Sequence, residues 1–188
     1  MKKHIITIAG KPGSGKSTTA NLLAQTLGYE RYSSGDFMRT IAMNHHMTLA
    51  ELGEYAKTHP EIDLEIDAEN VKAGTKDNIV IDARLAFHFI PESYKVYLDL
   101  DLVQSASRIY HNQTEARVQS GESPSSEKEL ETMLRERLES ERERYTTLYG
   151  INHLDLSNYD LVINTEKLST EEIVDQIIHG YNSFIEKE

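Results

Sequence analysis

The sequence predicts an α/β fold, a three-layer α/β/α arrangement around a parallel sheet of about five strands. Three observations carry this. Short continuous apolar runs, the mark of strands buried on both faces, alternate along the chain with helical patterns. A glycine-rich stretch, GKPGSGKST at 10–18, lies directly between the first apolar run and the first helix. A second polar cluster, Asp82-Ala83-Arg84, follows another apolar run, at the strand end where ligands gather in open α/β sheets.

The elements follow in order. His4 to Ala9 reads as the first strand, and Ser17 to Leu27 as an amphipathic helix closed by Gly28. Arg31 to Ser33 is a short second strand. A helical insertion over 36–75 comes next: Phe37 to His45, a helix opened by Thr48 with Glu51 as a capping box, and one from about Pro60 to Gly74. Ile79 to Ile81, Lys95 to Leu98 and Asp160 to Ile163 are the remaining strands. The polar segment NQTEARVQSGESPSS at 112–126 reads as a mobile loop. Glu127 to Tyr149 reads as a long charged helix with a narrow docking stripe of Leu134, Leu138, Tyr145 and Leu148. Ser169 and Glu172 form a second capping box, with Leu168 and Ile173 as its staple, and open the last helix.

Composition narrows the function. The 188 residues, 38% hydrophobic and 27% charged, suit one soluble domain spanning 1–188, and no apolar run approaches the ~18 residues of a membrane span. A cytoplasmic monomer is expected. The absence of cysteine excludes disulfides, thiolate metal sites and a cysteine nucleophile. A net charge of -11 argues against nucleic-acid polymers and anionic membranes as partners, so any anionic ligand must be met by local cations.

Gly10 to Ser17 matches G-x-x-x-x-G-K-S in the strand-to-helix context its mechanism requires. Gly10, Gly13 and Gly15 let backbone N–H groups converge on one concavity, and the helix N-terminus adds positive potential. The spacing gives Lys16 the β- and γ-phosphates of a nucleoside triphosphate and the Ser17 hydroxyl a Mg²⁺ ion. Pro12, Ser14 and Thr18 complete the loop, and Lys11 is read as pointing to solvent. Three arginine-bearing patches are candidates for a second phosphate: Ser34-Gly35-Asp36-Phe37-Met38-Arg39, Asp82-Ala83-Arg84, and Arg137, Glu141 and Arg144 on one face of the long helix. The arginines of that helix alternate with glutamates, a pattern that also suits a solvated helix held by i,i+4 pairs. Asp63 and Asp67, at i and i+4, either read an acceptor base or ribose or are plain solvated carboxylates, and the second is the simpler expectation. Asn164 and Thr165 border a donor base or form an ordinary strand-end turn. His45 and His46 point apart on a helix and make no metal site.

GKPGSGKST, SSGDFMR, the acidic-x-Arg of IVIDARL, MTLAELGEYAKTHPEIDLEID, RERLESERERY and YGINHLDLSNYDLVINT together resemble the nucleoside monophosphate kinases, and within them the cytidylate kinases, especially the archaeal type. The resemblance covers nearly the whole chain. It implies a P-loop NTPase fold with a helical NMP-binding insertion at 36–75 and a lid at 111–145, and ATP-dependent phosphorylation of CMP or dCMP with Mg²⁺. It assigns the acceptor monophosphate to Ser34, Gly35, Arg39 and Arg84, and lid-side nucleotide contacts to Arg137, Glu141 and Arg144. Asp36 and Asp82 would orient the acceptor or hold waters on Mg²⁺, and Arg108 would stack on the adenine of ATP. Two features depart from the family. Bacterial cytidylate kinases carry an Asp after the arginine matching Arg84 and read cytosine with it, whereas this chain has Leu85. The loop before the long helix is also longer than in the archaeal type. An adenylate kinase or another small-molecule kinase of this fold is the alternative within enzymes, and a non-catalytic ATP-binding regulatory module the alternative outside them.

Overall fold

The computed structural model describes residues 3–112 and 124–186. Five parallel strands, β1 (Ile5–Gly10), β2 (Glu30–Ser33), β3 (Ile79–Asp82), β4 (Tyr94–Asp99) and β5 (Leu161–Asn164), lie in the order β2-β3-β1-β4-β5. All six residues of β1 are buried. Because side chains alternate across a strand, Ile6 and Ile8 enter one core with Leu23, Val96, Leu98 and Ile177, while Ile5 joins Ile79, Ile81 and Ile90 on the other face. The first core is covered by α1 (Lys16–Leu27) and the C-terminal helix, called α8 here (Thr170–Glu186). The predicted cap of α8 forms in both directions, Ser169 Oγ accepting from the Glu172 N–H and Glu172 Oε2 from the Ser169 N–H.

Helices α2 (Ser34–Asn44), α3 (Leu49–Ala56) and α4 (Glu61–Ala73) gather around their own apolar cluster, including Ile41, Leu52, Ile62 and Ile66. The Thr48–Glu51 capping box opens α3 as expected. Helix α2 starts three residues before the predicted Phe37, because Ser33 Oγ accepts from the Asp36 N–H and caps it. A one-turn helix α5 (Ala86–Phe89) was not anticipated; four residues carry no readable periodicity.

Helix α6 (Leu102–His111) docks through Ala106 and Ile109 on Leu130 and Leu134 of α7 (Glu127–Tyr149). Helix α7 runs between the predicted limits, from the Ser126 cap to Gly150 in the left-handed region. Its buried row is Leu130, Leu134, Leu138, Glu141 and Tyr145. Leu148, expected in the docking stripe, is 42% exposed, while its neighbours Tyr145 and Tyr149 carry the contact at this end of the helix. Most of the predicted loop at 112–126 lies outside the described residues. Among the described residues no helix is long and apolar enough to cross a membrane.

Candidate active site

The topology puts the switch point at β1, whose neighbours β3 and β4 leave in opposite directions, so a crevice opens beyond their carboxyl ends. The glycine loop fills it. Gly10 is held against β4 so closely that a Cβ there would stand 2.2 Å from the Leu98 carbonyl oxygen. Gly13 and Gly15 take φ of 73 and 88 degrees, which wraps the loop onto the N-terminus of α1. The first-turn N–H groups of α1 have no intrahelical acceptor and face the concavity. Lys16 Nζ donates to the Lys11 carbonyl at 2.8 Å. Burial and the nearby Arg84 pull the Lys16 ammonium down to about 7, against the pull of Asp82. Lys11 does not point to solvent: its ammonium pairs with Asp99 at 2.7 Å, which fixes the loop to the end of β4. Thr18 is exposed at the start of α1, while Pro12 and Ser14 are buried inside the loop.

Asp82, at the end of β3, accepts from Ser17 Oγ at 2.7 Å through Oδ2. One hydroxyl and one carboxylate are donors that fit Mg²⁺, which takes hard oxygens and draws the rest of its shell from water and phosphate. The same oxygen meets Arg31 Nη2 at 3.3 Å, and Arg31 Nη1 meets Asp36 Oδ2 at 3.2 Å. Asp36 in turn pairs with Arg39. A chain of ion pairs thus links the serine of the loop to the α2 arginine. Arg31 was read only as a strand residue, since nothing local in the sequence signals partners 5 and 51 positions away.

Arg84 and Arg137 converge on Glu141, at 2.8 and 3.0 Å from its two carboxylate oxygens. Burial pushes the Glu141 carboxyl up, but Arg84 and Arg137 outweigh it and hold it at about 2. His153, 3% exposed, stands 4.0 Å from the same carboxylate, and burial lowers its ring to about 4. Arg144 does not make the along-helix pair expected of a solvated helix: its Nε faces Asp63 Oδ2 at 3.3 Å on α4, and its Nη1 donates to the Gly53 carbonyl on α3 at 3.4 Å.

Asp63 and Asp67 are not solvated carboxylates. Asp63 is 5% exposed, and with Asp67, Asn70 and Arg144 it forms the polar floor of a pocket whose apolar walls are Met38, Ile66, Leu85 and Tyr145. Ser34 and Arg84 line the same pocket. Tyr149 donates its hydroxyl to Asp67 Oδ2, and burial raises the Asp67 carboxyl to about 6. Gly35 lies beside the Arg39 guanidinium. On the far side of the loop, Arg108 Nη2 donates to the carbonyls of Thr165 and Glu166 at 2.6 and 2.8 Å, so its guanidinium is tied to the β5 turn. Thr165 is buried and accepts a structural role, donating to the Asp99 carbonyl, while Asn164 is exposed and caps the Glu166 N–H.

A phosphate loop at the switch point of a five-stranded parallel sheet, with Arg84 from a strand end and Arg137 from α7 acting on its lysine, defines the class of small P-loop kinases. The solved shikimate kinase from Bacteroides thetaiotaomicron has this fold, with a TM-score of 0.64 at 14% identity over 97% of this chain and 98% of that one. The family model described as the cytidylate kinase-like family matches residues 5–167, and the chain belongs to that family. It is 37% identical to the cytidylate kinase of Thermoplasma volcanium, covering 97% of this chain and 94% of that protein. It is 35% identical to the cytidylate kinase of Halobacterium salinarum, covering 96% and 90%. The S-adenosylmethionine-dependent nucleotide dehydratase of Lacinutrix mariniflava is 34% identical over 95% of this chain, which spans 36% of that longer protein.

Proposed function

We propose that the protein transfers the γ-phosphoryl group of ATP to CMP or dCMP in the cytoplasm, acting as a monomer. One observation carries the reading. Arg84 lines the pocket beside α4 and its charge is felt at Lys16 of the phosphate loop, which supports a second anion site near the loop. A module that only holds ATP needs no such site.

In this reading the loop from Gly10 to Thr18 holds the ATP phosphates, with Lys16 across the β and γ groups. Ser34, Arg39 and Arg84 grip the acceptor monophosphate, the insertion at 36–75 forms its pocket, and Arg137, Glu141 and Arg144 close from the lid region at 111–145. An oxygen of the acceptor phosphate attacks Pγ; the bond from Pγ to the β–γ bridging oxygen breaks, and its electron pair leaves on ADP. The attacking oxygen is already anionic, so no general base is required, and catalysis consists of alignment and charge. Mg²⁺, when held by Ser17 and Asp82, supplies neutralisation of the β- and γ-oxygens. Arginine suits the remaining work because its planar fork binds phosphate bidentately and stays charged at any working pH. Glu141 pairs with both Arg84 and Arg137, so a phosphate held by these arginines shares them with a carboxylate.

The test is ADP formation from ATP and Mg²⁺ with CMP, dCMP, UMP, AMP and GMP supplied separately. Turnover is expected with CMP or dCMP, falling at least about 100-fold in Lys16→Ala and in Arg84→Ala, the second also losing thermal stability because buried Glu141 loses a partner, so its turnover is read at a temperature where the variant is folded. Turnover with AMP alone would replace the acceptor, and near-normal turnover in Arg84→Ala would remove that residue from the mechanism.

A further inference from the structure

Leu85, next to Arg84, is an apolar wall of the pocket, 5% exposed, and offers a base no hydrogen bond. The base must be read from elsewhere. We infer that α4 reads it: Asp67 and Asn70 select a 4-amino pyrimidine over a 4-oxo pyrimidine, with Tyr149 as the positioning residue that aims the Asp67 carboxylate. The inference rests on the acceptor reading of this pocket given above.

Asp67 and Asn70 are three positions apart on α4 and share one face. Both line the pocket together with Ser34 and Arg84, the residues proposed for the phosphate, and a nucleotide held by those two would place its base among Met38, Ile66, Leu85 and Tyr145 within reach of α4. Asn70 is 2% exposed and its Oδ1 has no hydrogen-bond partner, a costly state for a buried amide unless a ligand completes it. Tyr149 engages Asp67 through Oδ2, which fixes the carboxylate of a pocket-lining residue.

Chemistry then decides between the pyrimidines. Cytosine presents an amine donor at position 4, where uracil presents a carbonyl acceptor. An ionised carboxylate only accepts, so it pairs with the amine and opposes the carbonyl. An amide turns to match either, so Asn70 adds affinity while Asp67 discriminates. Arg144 also lines the pocket and only donates, which suits the ring acceptors that cytosine carries beside its amine. A site built to hydrogen-bond a donor rejects the analogue lacking it, because the buried acceptor is left unpaired.

Calorimetric binding of CMP and UMP to the full chain, without ATP, tests the inference separately from turnover. The wild-type protein is expected to prefer CMP by roughly ten-fold or more. In Asp67→Asn that ratio should fall toward one, through weaker CMP and stronger UMP binding, with ATP affinity as the folding control. Tyr149→Phe keeps the ring packing and should raise KM for CMP several-fold while leaving KM for ATP and kcat in place. A ratio unchanged in Asp67→Asn, with CMP turnover intact, overturns this inference alone. A ratio that collapses in a protein that turns over no monophosphate supports the base reading and sinks the kinase reading.

Discussion

A carboxylate in the middle of a buried apolar row carries a large desolvation cost, and Glu141 is tolerated on α7 because Arg84 and Arg137 meet both its oxygens. Its neighbour His153 is held neutral by the same burial. With its folded pKa near 4 and an unfolded value near 6.5, it leaves the unfolded chain taking up a proton that the folded chain refuses. Stability contributed by neutral His153 is therefore present above pH 6.5 and lost as pH falls toward 4. Asp67 acts in the opposite sense: raised to about 6, it is protonated in the folded state before the unfolded state, which adds stability as pH falls from about 6 toward 3.8. The wild-type profile blends the two slopes. His153→Leu removes the His153 slope and leaves the other groups in place, so thermal melts at pH 7 and 4.5 should show the variant gaining on the wild type on acidification, by about 2 to 3 kcal/mol at most. Parallel profiles would mean that His153 is protonated in the fold.

At the scale of elements, the legible part of the molecule is the part specified locally. The limits of α7 follow from Ser126 and Gly150, and the caps of α3 and α8 from Thr48–Glu51 and Ser169–Glu172, since each cap is closed by residues within five positions. The phosphate loop is legible for the same reason. What the sequence hides is contact between distant segments. Arg31 with Asp82, Arg144 with Asp63, and Tyr149 with Asp67 each join positions 51 to 82 apart, and no spacing rule reaches that far. Asn70 was missed because a lone amide on a helix carries no signal until its burial is known. Gly10 shows how a local motif acquires a long-range reason. Its φ of 146 degrees and its contact with the Leu98 carbonyl pin β1 to β4 under the loop. Gly10→Ala should therefore destabilise the fold by several kcal/mol, an overpacking cost added to backbone strain. Urea unfolding measures it, and a loss below about 1 kcal/mol would show that the two strands separate without cost.

At the scale of the whole molecule, a chain of net charge -11 gathers Lys16, Arg31, Arg39, Arg84, Arg137 and Arg144 at one edge of its sheet. Asp36, Asp63, Asp82 and Glu141 balance them there. Such a site binds phosphate by sharing its cations with these carboxylates, and the binding stabilises only the folded chain. CMP alone should raise the melting temperature, because the acceptor site is assembled without ATP; at 100-fold its dissociation constant the gain is about 2.7 kcal/mol, or roughly 5 to 10 °C for a domain of this size. ATP with Mg²⁺ should give its own shift through the loop, abolished in Lys16→Ala while the CMP shift persists. Differential scanning of the four combinations separates the two sites without measuring turnover. A shift with ATP and none with any monophosphate would leave an ATP-holding module, with Arg84 bound to Glu141 as a structural pair.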